Sequence, residues 1–347
     1  MHNISGELYT LDISSNMFSN DVLVSSNEAN MLISVNKNPH ARSKVYLGKA
    51  LIVKHYNAED LYMHDIDKIK DEILLLKQLN HKGVSNLLST FVSGTNIAYV
   101  MPFMECGSCQ DLVESEFPTG LPECWIFLIV KNLLEVLNFI HMNGIIHRSI
   151  KARHILLNRY GGVKLTGFRY AIKKPSDNGG TVYEFPYDSI PNLKWLSPEI
   201  LQQSGIGYTE KSDVYSLGMT ICELANGIPP FENLEPKKLL LQKISGAIPL
   251  IFDSSTHLKF ESSIKYLSIP PEQLEVYSTR AISANLHSLK NNCCISNFDE
   301  RPTVDELMNN EIFVESDEFS LTPSVLPLIE FKKMEDIGDV ESLEWNF

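Results

Sequence analysis

The sequence predicts an α+β fold of two lobes, a small β-rich N-terminal one followed by a larger helical C-terminal one. Three observations predict it. The run ALIVKHY at 50–56 concentrates apolar residues as a sheet strand does. Apolar stripes at helical spacing fill the second half of the chain, and a strand-turn-strand pattern with polar loops lies between. The length of 347 residues accommodates two lobes and a large core.

In chain order, residues 1–20 are polar and aperiodic and read as a flexible terminus. After the strand at 50–56, Ile66, Ile69, Ile73 and Leu76 recur at three- and four-residue steps, which predicts an amphipathic helix. Ile126, Val130, Leu133, Leu137 and Ile140 predict a longer buried helix, stopped by Asn143-Gly144 because glycine tolerates the left-handed conformation. Residues 155–157 (ILL), the turn residues 158–162, and Val163 with Leu165 predict a hairpin. Val214, Leu217, Ile221 and Leu224 mark a central helix, opened by Ser212-Asp213 and closed by Asn226-Gly227. From about 252 to 285 the chain is Ser-rich and reads as irregular, and helical patterning returns at 284–289 and 304–308. The expected division is a domain over 21–314, with an N-lobe at about 21–102 and a C-lobe at about 106–314, then a tail over 315–347.

Thirty Lys and Arg against 43 Asp and Glu give a net charge of −13, which repels a phosphate backbone and anionic lipid, so nucleic acid and membrane are not expected partners. The longest pure apolar runs, such as WIFLIV at 125–130, fall short of the roughly 20 residues that cross a bilayer. The first ten residues lack a basic region followed by an apolar one, so a cytoplasmic or nuclear location is expected. Cys106 and Cys109 have C-x-x-C spacing without a second half of a zinc site, and they read as reduced structural thiols.

Several short motifs recur in a fixed order. Lys54 lies in LIVK, Glu72 lies on the following helix, MPFM occupies 101–104, HRS begins at His147, GFR at Gly167 and SPE at Ser197, with Asp213 and Arg301 beyond. Singly, Lys54 and Glu72 are ordinary surface charges. Together the set, spread over about residues 20–314, resembles a protein kinase domain. That resemblance implies that Lys54 neutralises nucleotide phosphates, that Glu72 orients it, and that the hinge ending at Met104 offers backbone groups to adenine despite Pro102. It also implies that Asp213 braces the catalytic loop and that Arg301 pairs with Glu199. These three are read as structural, since buried charges persist mainly when paired.

The same resemblance exposes three departures. Ser149 stands where the family has its catalytic aspartate, His154 where it has a metal-binding asparagine, and Gly167 where it has the metal-binding aspartate. A serine hydroxyl with no adjacent base is not a proton acceptor near neutral pH, glycine has no ligand, and imidazole prefers softer ions than magnesium. From 21 to 47, where a glycine-rich loop would close over phosphates, there is no glycine. Catalysis is therefore not expected. Lys54, Lys151, Arg169 and His154 are instead expected to meet around the phosphates and replace the metal's charge, so that ATP is bound without magnesium and not hydrolysed.

HRSIKARHILL, LTGFR, KWLSPEILQQ and KSDVYSLGMTICELANGIPPF resemble the sterile-20-related adaptor family, STRAD, whose members carry Ser and Gly at the first and third departures. The terminal Trp345-Asn346-Phe347 resembles that family's Trp-Glu-Phe tail, differing at the middle residue. The resemblance implies an allosteric activator of a liver-kinase-type Ser/Thr kinase. Its scaffold partner is an armadillo-like protein of the calcium-binding-protein-39 family, which takes Trp345 and Phe347. Two other readings remain open from the sequence: an unorthodox active Ser/Thr kinase, and a nucleotide-sensing interaction module without a kinase partner.

Overall fold

The computed structural model of the protein describes residues 32–34, 42–46 and 51–314, except 105, 159, 176–179, 187, 204, 233 and 257–268. The expectations for residues 1–20 and for the tail, Trp345 and Phe347 included, lie outside the described residues. The chain divides into two compact units, with the boundary between residues 105 and 106.

The first unit is built on a five-stranded antiparallel sheet of order β1-β2-β3-β5-β4: β1 Leu32–Ser34, β2 Arg42–Tyr46, β3 Leu51–Asn57, β4 Ser89–Ser93 and β5 Asn96–Pro102. No sequence pattern announces strands β1 and β2: β1 has only three residues, and β2 (RSKVY) is mostly polar. Helix α1, Met63–Gln78, carries the predicted stripe, and Ile66, Ile69 and Ile73 are buried with Tyr56, Ile97, Tyr99 and Met101 in one cluster. The register sets Lys54 opposite Tyr99 and Tyr56 opposite Ile97. Side chains two apart on a strand share a face, so Lys54 and Tyr56 both project on the side that Tyr99 occupies.

The second unit is helical. It contains α2 Cys109–Ser115, α3 Glu123–Met142, α4 Pro198–Gln202, α5 Lys211–Asn226, α6 Pro236–Ile244, α7 Pro271–Thr279, α8 Ala284–Cys293, α9 Val304–Met308 and α10 Glu311–Val314. Helix α3 is long and apolar enough to cross a membrane by composition, and here it is a core helix whose residues from Trp125 to Ile140 supply nine buried side chains. All but one residue of α5 are buried, so it forms the centre against which α3 and α8 pack. Helix α7 corrects the reading of 252–285 as irregular. Pro270-Pro271 opens it, a favoured helix start that a search for apolar stripes passes over. Its Tyr277 is fully buried.

Two further strand pairs carry the loops of interest: β6 Ile145–Ile146 with β9 Ile172–Lys173, and β7 Ile155–Leu157 with β8 Val163–Leu165. The second pair is the predicted hairpin. Burial pushes the Cys109 thiol far up, which keeps it protonated and unsuited to bind a cation.

Candidate functional site

The loop from His147 to His154 leaves β6 and enters β7. Asp213, in the first turn of α5 and fully buried, accepts the backbone N–H groups of His147 and Arg148, both at 2.8 Å, and lies 2.9 Å from His141 Nε2. Burial works to raise its pKa, but the hydrogen bond and charge of His141 win, and the carboxyl sits below its ordinary value. Charged acceptors of this kind hold a loop firmly. Arg148, at φ +58°, donates to Tyr170 O at 2.5 Å, Tyr208 Oη at 3.0 Å and Glu184 O at 3.2 Å. Tyr208 in turn donates to Glu184 O at 2.6 Å, while its backbone and that of Val182 exchange two hydrogen bonds. The segment between Gly167 and Glu199 is thereby tied to the loop by the protein's own groups.

His147 is fully buried. Its Nδ1 accepts from Ser149 N at 3.2 Å, which leaves the proton on Nε2, directed at Thr166 O at 3.2 Å. Burial pulls its pKa down to about 4 from 6.5, against the raising effect of Asp213. The unfolded chain therefore takes up this proton first. The contribution of His147 to stability is present above about pH 6.5 and is lost progressively as pH falls toward 4. The expected NMR result is an imidazole signal that does not move between pH 7.5 and 5; a midpoint near 6.5 would contradict the assignment.

The structure adds a neighbour that the sequence does not show: an imidazole lies beside the Ser149 hydroxyl. A 3₁₀ turn at Ala152–His154 brings His154 Nδ1 to 3.1 Å from Ser149 Oγ. The same nitrogen lies 2.7 Å from Ser149 O. A carbonyl oxygen only accepts, so Nδ1 carries the proton and cannot take one from the hydroxyl. Ser149 Oγ itself donates to Asn192 Oδ1 at 2.9 Å. The pair is thus arranged with its protons pointing the wrong way for base catalysis.

Gly167 completes the group. Thr166 N donates to His154 O at 2.9 Å, extending the β7–β8 ladder and setting the imidazole beside residue 167. Gly167 has φ +85°, and a Cβ added there would meet His154 Cγ and Nδ1 at 2.5 Å. The ring fills the space that a side chain at 167 would need. His154 and Gly167 are fitted to one another, which their separation in the sequence does not reveal.

Lys151 joins the Ser149 network through Asn192: its Nζ donates to Asn192 Oδ1 at 2.8 Å and to Pro191 O at 3.2 Å, and it lies over the Trp195 ring. Burial lowers its pKa to about 8, with Glu223 opposing. Arg169 lies in the 3₁₀ turn Phe168–Tyr170, where Phe168 packs edge-on against His147. Arg301 makes a two-pronged ion pair with Glu199 at 2.6 and 3.0 Å, both residues buried. In the first unit Met104 is buried at the end of the segment after β5. Among the described residues no ion pair joins Lys54 to Glu72. Tyr99 meets both, its hydroxyl 3.4 Å from Glu72 Oε2 and its ring under Lys54 Nζ at 5.5 Å.

Three residues that hold these side chains are not marked by the sequence motifs: Tyr99 in the first unit, and Asn192 and Glu223 in the second. Glu223 accepts from Ala152 N at 3.0 Å and Trp195 Nε1 at 2.8 Å, and burial pushes its pKa up to about 7. A carboxylate inside the apolar run MTICELA at 219–225 is the sequence signal for Glu223.

The protein kinase domain family matches residues 39–313. The rat STE20-related kinase adapter protein alpha is 32% identical over 298 residues, which cover 77% of this chain and 73% of the rat protein. The mouse alpha protein is 33% identical over 286 residues, covering 77% and 66%. The human STE20-related kinase adapter protein beta is 31% identical over 303 residues, covering 81% and 72%. With a small strand-rich unit, a larger helical unit and this extent of identity, the chain belongs to the STE20-related kinase adapter (STRAD) family within the protein kinase fold.

Proposed function

We propose that this protein is a catalytically inactive pseudokinase of the cytoplasm or nucleus that binds ATP without magnesium. It acts as an allosteric activator and scaffold of a liver-kinase-type Ser/Thr kinase. A calcium-binding-protein-39-type armadillo-like scaffold takes the tail at Trp345 and Phe347. The observation that carries the inactive reading is the His154 ring beside Gly167, with Nδ1–H spent on Ser149. Phosphoryl transfer in this fold needs a carboxylate base and oxygen ligands for magnesium, and Ser149, His154 and Gly167 supply neither. The nearness of His154 to the Ser149 hydroxyl is the one feature that favours an unorthodox kinase, and the proton on Nδ1 argues against it.

The activator reading draws on the relatives' name, kinase adapter, and on how the second unit is held. Asn192 ties the segment to Ser149 and Lys151, while Arg148 and Tyr208 tie it at Glu184. A surface ordered before docking avoids the entropy of ordering it on contact, which is how a non-catalytic chain binds tightly. The cationic set that the resemblance assigns to nucleotide is Lys54, Lys151, Arg169 and His154, and of these Lys151 Nζ is held by Asn192 Oδ1 and Pro191 O. A nucleotide that favours the partner-competent state strengthens the partner to the same degree, by reciprocity of binding.

The test is a three-component assay with this chain, a liver-kinase-type kinase and the armadillo-like scaffold. Kinase activity that rises only with all three supports the reading, and a kinase equally active without this chain removes it. In parallel, ATP with excess chelator should raise the melting temperature of this chain alone.

A further inference from the structure

We propose that Tyr99 is the residue that positions Lys54 in this chain, its ring face doing what the kinase resemblance assigns to the Glu72 carboxylate. The proposal rests on the nucleotide reading above for its purpose, but not for its geometry.

The register of β3 and β5 makes Lys54 and Tyr99 direct cross-strand partners. Opposite residues of an antiparallel pair bring their Cβ atoms to about 5 Å on one face, so a ring at 99 must lie along the lysine's path. Lys54 Nζ is 5.5 Å from the ring centroid, within the roughly 6 Å over which a ring face attracts an ammonium.

The ring is immobile for reasons that the fold supplies. Tyr99 is fully buried, packs in the cluster with Ile66, Ile69 and Ile73, and stacks on Tyr56 at 5.8 Å with an interplanar angle of 24°. Its hydroxyl lies 3.1 Å from that of Tyr56 and donates to Glu72 Oε2 at 3.4 Å. Glu72, itself buried, accepts from the phenol and, among the described residues, forms no ion pair with Lys54.

The difference matters chemically. A carboxylate partner consumes ammonium donors and offsets the positive charge, and in a magnesium-dependent site the metal makes up the balance. A ring face attracts the ammonium through its quadrupole but carries no full negative charge and offers at most a weak N–H···π contact. An ammonium has three donors, and a lysine held this way keeps them for an anion. That suits a pocket proposed to meet phosphates with side-chain cations alone.

The experiment uses the full chain with isotope-labelled lysine, as wild type, Tyr99→Phe, Tyr99→Leu and Glu72→Gln, the Lys54 signal being assigned by its loss in Lys54→Arg. A ring face shields the nearby ε-methylene, so an upfield-shifted signal is expected in wild type, Tyr99→Phe and Glu72→Gln, and an ordinary shift in Tyr99→Leu. Magnesium-free ATP affinity should stay within about twofold in Tyr99→Phe, which keeps the ring face, and fall about tenfold in Tyr99→Leu. An ordinary Lys54 shift in the wild type, or its displacement by Glu72→Gln, overturns the proposal even if Tyr99→Leu fails to fold. Should wild type bind no ATP, the nucleotide reading falls, and the lysine signal alone then decides the role of Tyr99.

Discussion

Replacing Asp213 by alanine is expected to destabilise the second unit by about 3–5 kcal/mol, a large fraction of the roughly 5–15 kcal/mol that holds a domain folded. The side chain is fully buried and accepts from two consecutive backbone N–H groups while lying against His141. Its removal leaves two buried donors without an acceptor, each costing about 1–3 kcal/mol. It also frees Arg148, whose positive φ the two bonds help to impose. Denaturant titration of the full chain checks the figure. Asp213→Asn, which keeps one acceptor oxygen, should fall between wild type and alanine. If both variants unfold at the wild-type midpoint, Asp213 does not hold the loop.

The second large effect is expected at Gly167. Gly167→Asp returns the residue that the kinase resemblance calls for, yet it should weaken folding and not create a metal site. A non-glycine residue in the left-handed region costs roughly 1–2 kcal/mol. Forcing a side chain into occupied space adds roughly 1–3 kcal/mol, here because the His154 ring lies 2.5 Å from the new Cβ. Combining Gly167→Asp with His154→Ala should recover about 0.5–3 kcal/mol beyond the sum of the two single changes, the signature of residues that share one space. Strict additivity in that double-mutant cycle would show that the ring and the missing side chain are unrelated.

Much of this architecture was legible because it rests on local periodicity. The stripes of Ile66 to Leu76 and Val214 to Leu224 mark helices that form where expected, and Asn158 to Gly162 mark the hairpin turn. Helix α7 was not legible, since its only fully buried residue is Tyr277 and no stripe announces it. Strands β1 and β2 gain their order from pairing with β3 and carry no strong alternation of their own.

The site divides along the same line. Ser149, His154 and Gly167 could be named from their places in motifs, but what they do to one another could not. The Ser149–His154 contact depends on a 3₁₀ turn, and the fit of His154 to Gly167 depends on a ladder bond across the hairpin. Asn192 reaches Ser149 across 43 residues of chain, and Tyr99 reaches Lys54 through a strand register that composition does not fix. Hydrogen-bond protons decide the chemistry, and they are assigned only once both partners are in view.

The most direct measurement is transfer of labelled phosphate from ATP by the purified chain to itself or to a protein substrate, with magnesium or manganese supplied. The account predicts a signal no greater than that of Lys54→Ala under every metal tried. Transfer by the wild type that disappears in Lys54→Ala would contradict it.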